Sequence, residues 1–172
     1  IEYMRLIPFV FGTFGVVGVY FLAKKFSTTQ ASLLATFIAS ISIYHICYSQ
    51  ELRGYSLILL ITPFVVMTFF DLLKDFNKKN SLKFILTSSI MINTHLFGLF
   101  LLLTNFLYAI LLFIKSGEKL SKYFKFTLYN AIIFLTLVPY LLLNFIQTLI
   151  GRVGFNSHIL PTSFEIVLDC LN

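Results

Sequence analysis

Long apolar stretches separated by short polar segments run through the whole chain. A helix needs about 20 mostly apolar residues to cross the hydrocarbon core of a bilayer. Four stretches meet this requirement, and the pattern predicts transmembrane helices over residues 6–23, 31–48, 55–73 and 126–150. These helices and the intervening stretch define a predicted helix bundle over residues 1–150.

The stretch 84–114 is too long for one ordinary span and short for two, and Asn93, Thr94 and His95 interrupt it. Lysines occur in three clusters, at 24–25, 74–83 and 115–125, and cytoplasmic loops collect lysine and arginine. All three clusters lie on one side only if 84–114 crosses twice. We therefore predict a hairpin with arms over 84–93 and 96–114; the alternative is a single bent helix.

The last segment, 151–172, has features of its own. Thr162 and Glu165 have the spacing of a capping box, and apolar residues recur at helical spacing from Phe164. This predicts an outer-face loop followed by an amphipathic helix in the membrane interface. The alternative is the beginning of a sixth span.

The composition decides the class of protein. Hydrophobic residues make up 58% and charged residues 12% of the chain, whereas soluble domains carry roughly 25% charged residues. We predict an all-α, polytopic integral membrane protein. The net charge of +6 is explained by the lysine clusters, so it indicates membrane orientation and no nucleic-acid partner. The chain begins at Ile1, and we expect an internal fragment of a longer protein.

Small and sulfur-containing residues give no sign of a cofactor. Gly12, Gly15 and Gly18 lie along one predicted helix without a preceding strand, so close helix packing explains them better than a nucleotide loop. Cys47 and Cys170 lack metal-ligand spacing and are interpreted as packing residues. No cofactor or metal site is predicted.

The run from Tyr48 to Tyr55 concentrates polar chemistry at one membrane boundary. On a continuous helix Tyr44, Tyr48, Glu51 and Tyr55 share a face, which suits a saccharide, although an aromatic belt at the boundary explains the tyrosines equally well. Glu51 and Arg53 are two residues apart and point in different directions on a helix, so we expect separate partners for them. Arginine offers a planar fork for phosphate; the alternative is that both side chains simply reach water.

His95 lies at the predicted hairpin turn beside Asn93. Its two interpretations are an interfacial hydrogen-bonding residue and a contact to a phosphate or hydroxyl group. No second histidine or cysteine lies at a spacing that favours metal binding.

These segments carry a family resemblance. The run from Tyr48 to Tyr55 resembles the YSQE-x-R-x-Y signature of bacterial and archaeal membrane glycosyltransferases of the protein mannosyltransferase class, family 39 and its relatives. Three further stretches resemble that family in order: Arg5 to Pro8 with Gly12, Thr94 to Gly98, and Leu160 to Ser163. Leu96 stands where the family usually has an aromatic residue.

The resemblance implies a GT-C fold with an active site at the outer membrane face. It implies transfer of a sugar from a polyprenyl-phosphate donor to a protein, lipid or glycan acceptor. Donor phosphate or sugar binding is then assigned to Arg53, Glu51, Gln50, Tyr55, Tyr48, His95 and Asn93. The catalytic acidic residue is expected upstream of Ile1, so this fragment alone is expected to be inactive. The implied location is a prokaryotic cytoplasmic membrane with the lysine-rich loops in the cytoplasm.

Two competing functions remain open. A transporter or flippase subunit for a lipid-linked or anionic solute also needs arginines and helix breaks, but such sites lie near the bilayer midplane, often between repeated halves. The other is a non-catalytic membrane scaffold, but a scaffold gives no reason for the polar motifs to lie at the same membrane face.

Overall fold

The computed structural model describes residues 6–51 and 53–149, and these form eight α-helices without a strand. The helices are α1 (Leu6–Phe26), α2 (Thr29–Ser40), α3 (Ile43–Gln50), α4 (Tyr55–Lys74), α5 (Lys78–Thr94), α6 (Gly98–Ser116), α7 (Leu120–Leu135) and α8 (Val138–Leu149). The predicted all-α fold is confirmed. The predicted interfacial helix lies outside the described residues, as do Arg5, Cys170 and the motif from Leu160 to Ser163.

Four helical segments are long and apolar enough to cross a membrane: Leu6–Phe26, Tyr55–Lys74, Gly98–Ser116 and Leu120–Leu143. The last of these covers α7 and the first half of α8. A fifth crossing results if α2 and α3 are counted as one broken span. The chain is therefore a multi-pass integral membrane protein.

The single span predicted over 31–48 is wrong in shape, because α2 and α3 are bent by 58° relative to each other. The break falls at Ile41 and Ser42. The Ser40 hydroxyl donates to the Phe37 carbonyl at 2.7 Å, and Ser42 has extended backbone before α3. Serines compete for backbone hydrogen bonds and so weaken a helix at such a position.

Two helices, α5 and α6, occupy the stretch for which a hairpin was predicted, and they are separated at His95 to Phe97. Helix α5 begins at Lys78, earlier than the predicted arm. Asn77 explains this start, since its side chain accepts a hydrogen bond from the Asn80 backbone N–H at 2.8 Å and so caps the helix.

Glycines bring α1 and α4 together. A Cβ atom on Gly15 would lie 3.2 Å from the Leu59 backbone, and one on Gly18 would lie 3.2 Å from Pro63. Because contacts advance along both helices in the same direction, α1 and α4 run parallel. The predicted packing role of the glycines is confirmed.

Aromatic rings fill the interior between α4, α5 and α7. Phe69, Phe84 and Phe126 are fully buried. The Phe84 ring lies 5.9 Å from Phe69 and 6.0 Å from Phe126, measured between ring centroids. This core fixes how the helix ends are arranged.

The lysine-rich loops share one end of the bundle. Lys25 at the end of α1 forms an ion pair with Asp71 near the end of α4, and Phe76 contacts Phe113 near the end of α6 with ring centroids 6.3 Å apart. The breaks at Glu51, at 95–97 and at 136–137 lie at the opposite end. Which end faces the cytoplasm stays a prediction.

Candidate functional site

Between α3 and α4, Glu51 leaves the helical conformation and Gly54 packs against the end of α5. Glu51 has extended backbone, with φ −84° and ψ 131°. Gly54 lies so close to α5 that a Cβ atom there would be 3.1 Å from the Thr94 carbonyl oxygen. A glycine is therefore what allows the two polar motifs to touch.

Glu51 and Arg53 form an ion pair, with Nε of Arg53 3.2 Å from Oε1 of Glu51. The prediction that they have separate partners is wrong. It assumed a helix, whereas Glu51 has extended backbone, so helical spacing does not describe where its side chain points. The arginine side chain is 45% exposed and the glutamate side chain 22% exposed, so the guanidinium is the more accessible of the two groups.

The second carboxylate oxygen of Glu51, Oε2, differs from Oε1 in its hydrogen bonding. Oε2 is buried, and no hydrogen-bond donor within the described part of the chain reaches it. A buried acceptor without a partner is unfavourable by roughly 1–3 kcal/mol, and more when it is charged.

Three ring contacts join the loop before α4 to the break between α5 and α6. The centroids of Tyr48 and Tyr55 are 4.9 Å apart, those of Tyr55 and His95 5.1 Å, and those of His95 and Phe97 4.8 Å. We call Tyr48, Tyr55, His95 and Phe97 the aromatic cluster. The face that Tyr44, Tyr48, Glu51 and Tyr55 would share on a continuous helix does not form, because the helix ends before Glu51 and Tyr48 and Tyr55 meet across the break.

The protonation state of His95 follows from its surroundings. The Phe97 backbone N–H donates to Nδ1 of His95 at 3.2 Å, so Nδ1 accepts and the neutral ring carries its proton on Nε2. Burial lowers the pKa of His95 below its ordinary value. His95 is therefore a neutral side chain with one N–H to donate.

Asn93 and Gln50 lie apart from the aromatic cluster. The Asn93 amide donates to the Ser89 carbonyl at 2.9 Å and to the Thr136 hydroxyl at 3.0 Å, so it ties α5 to the break between α7 and α8. Gln50 is exposed and lines a cleft of about 350 Å³ between α1 and α3. The predicted residues thus divide among three places at the same end of the bundle.

The cleft contains a histidine that the sequence analysis missed. Nε2 of His45 donates to the Gly12 carbonyl at 2.9 Å, and the Ser49 hydroxyl donates to the His45 carbonyl at 2.6 Å. The available signal was the spacing of His45, one helical turn before Tyr48 and Ser49. His45 fixes α3 against α1 and so helps to position the loop that follows.

Arg53 lies at the edge of an apolar groove of about 540 Å³ between the first turns of α1 and α4. The groove is lined by Ile7, Pro8, Phe11, Arg53, Gly54, Ser56 and Leu57. One cationic side chain beside an apolar surface suits an amphiphile with an anionic head.

Within residues 6–51 and 53–149, no group of three or more His, Cys, Asp or Glu side chains is arranged to hold a metal ion. Comparison of the chain with protein-family models, with curated proteins and with solved structures finds no match. The local geometry therefore carries the functional argument by itself.

Proposed function

We propose that the chain belongs to a membrane glycosyltransferase that moves a sugar from a polyprenyl-phosphate donor to a protein, lipid or glycan acceptor. The observation that carries the proposal is the position of Arg53. Its guanidinium lies at the edge of an apolar groove and beside Glu51, at the end of the bundle that also holds the aromatic cluster. Lipid, phosphate and sugar each have a chemically matching surface there.

Arg53 binds the donor phosphate in this proposal. Its ion pair with Glu51 is made through Nε, so the two terminal nitrogens remain for bidentate contact with a phosphate. The isoprenoid chain occupies the apolar groove beside it. This arrangement holds the sugar–phosphate bond at the membrane surface.

The reaction develops negative charge on that phosphate. The acceptor hydroxyl attacks the anomeric carbon, the bond from this carbon to the phosphate oxygen breaks, and its electron pair leaves with the polyprenyl phosphate. The hydroxyl proton passes to a general base, for which the resemblance assigns no residue of this chain. Arg53 stabilises the departing phosphate, and such electrostatic stabilisation is commonly a large part of catalysis.

The sugar is held by Glu51 and the aromatic cluster. A sugar hydroxyl donates to the accessible part of the Glu51 carboxylate, whose side chain is 22% exposed. Nε2–H of His95 donates to a second hydroxyl, and the Tyr48 and Tyr55 rings cover an apolar sugar face. Each of these contacts is proposed for a side chain whose surroundings are known from the structure.

The test is sugar transfer by the full-length protein with polyprenyl-phosphate mannose and polyprenyl-phosphate glucose. Arg53→Ala is expected to lower kcat/KM by about 100-fold or more, and Arg53→Lys to give an intermediate loss because the charge remains without the planar fork. Lys83→Ala, an exposed cation at the other end of the bundle, is the matched control and keeps normal transfer. A wild-type transfer rate in Arg53→Ala would show that Arg53 does not bind the donor phosphate.

A transporter or flippase subunit is the second candidate, and the bend between α2 and α3 favours it. Broken helices beside a cleft are typical of transporter binding sites, and α2 and α3 meet at 58° next to the cleft that holds His45. Proteoliposomes distinguish the two functions. Translocation of a labelled polyprenyl phosphate sugar with its sugar–phosphate bond intact supports transport, and bond cleavage with transfer supports the glycosyltransferase.

A further inference from the structure

The first two turns of α7, at the lysine-rich end of the bundle, present an unusual surface. Leu120 is 81% and Phe124 71% exposed, the two highest values among the large apolar side chains that the structure describes. Being four residues apart, they lie on the same helix face. Together with Ser121, Tyr123 and Thr127 they line an open groove of about 610 Å³.

The charges around this groove place it at the depth of the lipid headgroups. Lys119 precedes α7, and Lys122 and Lys125 lie in its first two turns. Charged side chains are costly in the hydrocarbon core, so this end of α7 lies at the membrane boundary. Leu120 and Phe124 are thus apolar side chains at a polar depth.

Lysines outnumber acids in the loop that leads into this groove. Lys115, Lys119 and Lys125 are exposed, and the ion pair recorded in this loop, within the described residues, joins Lys122 to Glu118. The loop before α5 has a similar excess, because its lysines at 74, 78, 79 and 83 stand against Asp75 while Asp71 pairs with Lys25. What distinguishes the loop before α7 is that its lysines flank the two most exposed large apolar side chains that the structure describes.

We propose that this groove binds one anionic phospholipid of the surrounding leaflet. The headgroup phosphate is held by Lys115, Lys119 and Lys125, and the upper part of an acyl chain covers Leu120 and Phe124. A zwitterionic lipid covers the apolar surface but adds no net charge to balance the lysines. A symmetric contact with a second copy brings two basic surfaces together, which is unfavourable. The site is independent of the proposed sugar transfer.

The test is native mass spectrometry of the full-length protein released from micelles that contain phosphatidylglycerol and phosphatidylcholine in equal amounts. Wild type is expected to retain phosphatidylglycerol preferentially. The triple variant Lys115→Gln, Lys119→Gln, Lys125→Gln is expected to weaken this preference by about tenfold or more, since lysines near an anionic surface contribute individually. The matched control, Lys78→Gln, Lys79→Gln, Lys83→Gln, removes the same charge at the same end and keeps the preference.

A second variant separates the groove from general charge. The variant Leu120→Ser with Phe124→Ser leaves every lysine in place, and we expect it to reduce retained phosphatidylglycerol as well. If circular dichroism and size-exclusion chromatography show that the lysine variant does not fold, this second variant tests the lipid site by itself. Equal loss in the matched control, or no headgroup preference in wild type, overturns the proposal. So does a dimer that depends on Leu120 and Phe124.

Discussion

The Tyr55 ring lies 5.1 Å from the His95 ring, which joins two motifs that are 40 positions apart in the sequence. The contact forms because α4 and α5 run antiparallel and Gly54 permits close approach to Thr94. It turns two separate polar breaks into one candidate site.

This ring contact is expected to couple the two residues energetically. Tyr55→Ala, His95→Ala and the double variant form a double-mutant cycle, measured as the free energy of unfolding in mixed micelles. We expect a favourable coupling of about 0.5–1.5 kcal/mol. Tyr20→Ala combined with His95→Ala is the control, since Tyr20 contacts Phe21 in α1, and it should show additivity. A coupling energy near zero for Tyr55 and His95 would contradict the contact.

Acidification is expected to destabilise the protein through His95. The folded-state pKa of His95 is lowered by burial from the ordinary 6.5, so below about that pH the unfolded chain binds a proton before the folded chain does. The free energy of unfolding therefore falls as the pH decreases from 6.5 toward the lowered pKa, and this contribution becomes constant below it.

The measurement compares wild type with His95→Gln, which keeps a neutral hydrogen-bonding group. The pH dependence of the free energy of unfolding that remains in His95→Gln comes from other groups. The difference between the two proteins in this pH dependence is the contribution of His95. Parallel pH curves for the two proteins would show that His95 does not titrate differently in the folded state.

Packing of α1 on α4 is expected to fail when Gly15 is enlarged. A Cβ atom at Gly15 already approaches Leu59 backbone atoms at 3.2 Å, and backbone cannot move aside as a side chain does. Gly15→Leu is expected to reduce the free energy of unfolding by about 1–3 kcal/mol. Phe14→Leu changes a neighbouring side chain that is 58% exposed and serves as the control. Equal stability of the two variants would exclude the close approach.

The two ends of the bundle are expected to face opposite sides of the membrane. With Cys47 and Cys170 replaced by alanine, single cysteines are introduced at Leu96 and at Ser116, both exposed in the structure. An impermeant thiol reagent applied to intact cells should label the Leu96→Cys variant only, because the lysine-rich end is predicted to be cytoplasmic. Labelling of Ser116→Cys alone reverses the orientation, and equal labelling of both contradicts the shared-end arrangement.

The hydrophobic pattern by itself determined that the chain is a helical membrane protein. Runs such as Leu6–Phe26 and Tyr55–Lys74, as helices, are about as long as the hydrocarbon core of a bilayer is thick, and no tertiary contact is needed to recognise them. The glycine spacing in α1 likewise predicted close helix packing, since only a residue without a side chain leaves that space. Lysine clustering predicted which loops lie together.

Tertiary structure decided the details of the candidate site. Glu51 pairs with Arg53 because the chain is extended at Glu51 as it turns from α3 into α4, and a periodicity argument that assumes a helix gives the opposite result. Asn93 reaches Thr136 through the packing of α5 beside α7, a contact between residues far apart in sequence. Spans follow from local hydrophobicity, whereas side-chain partners at helix breaks depend on backbone direction and on which helices meet.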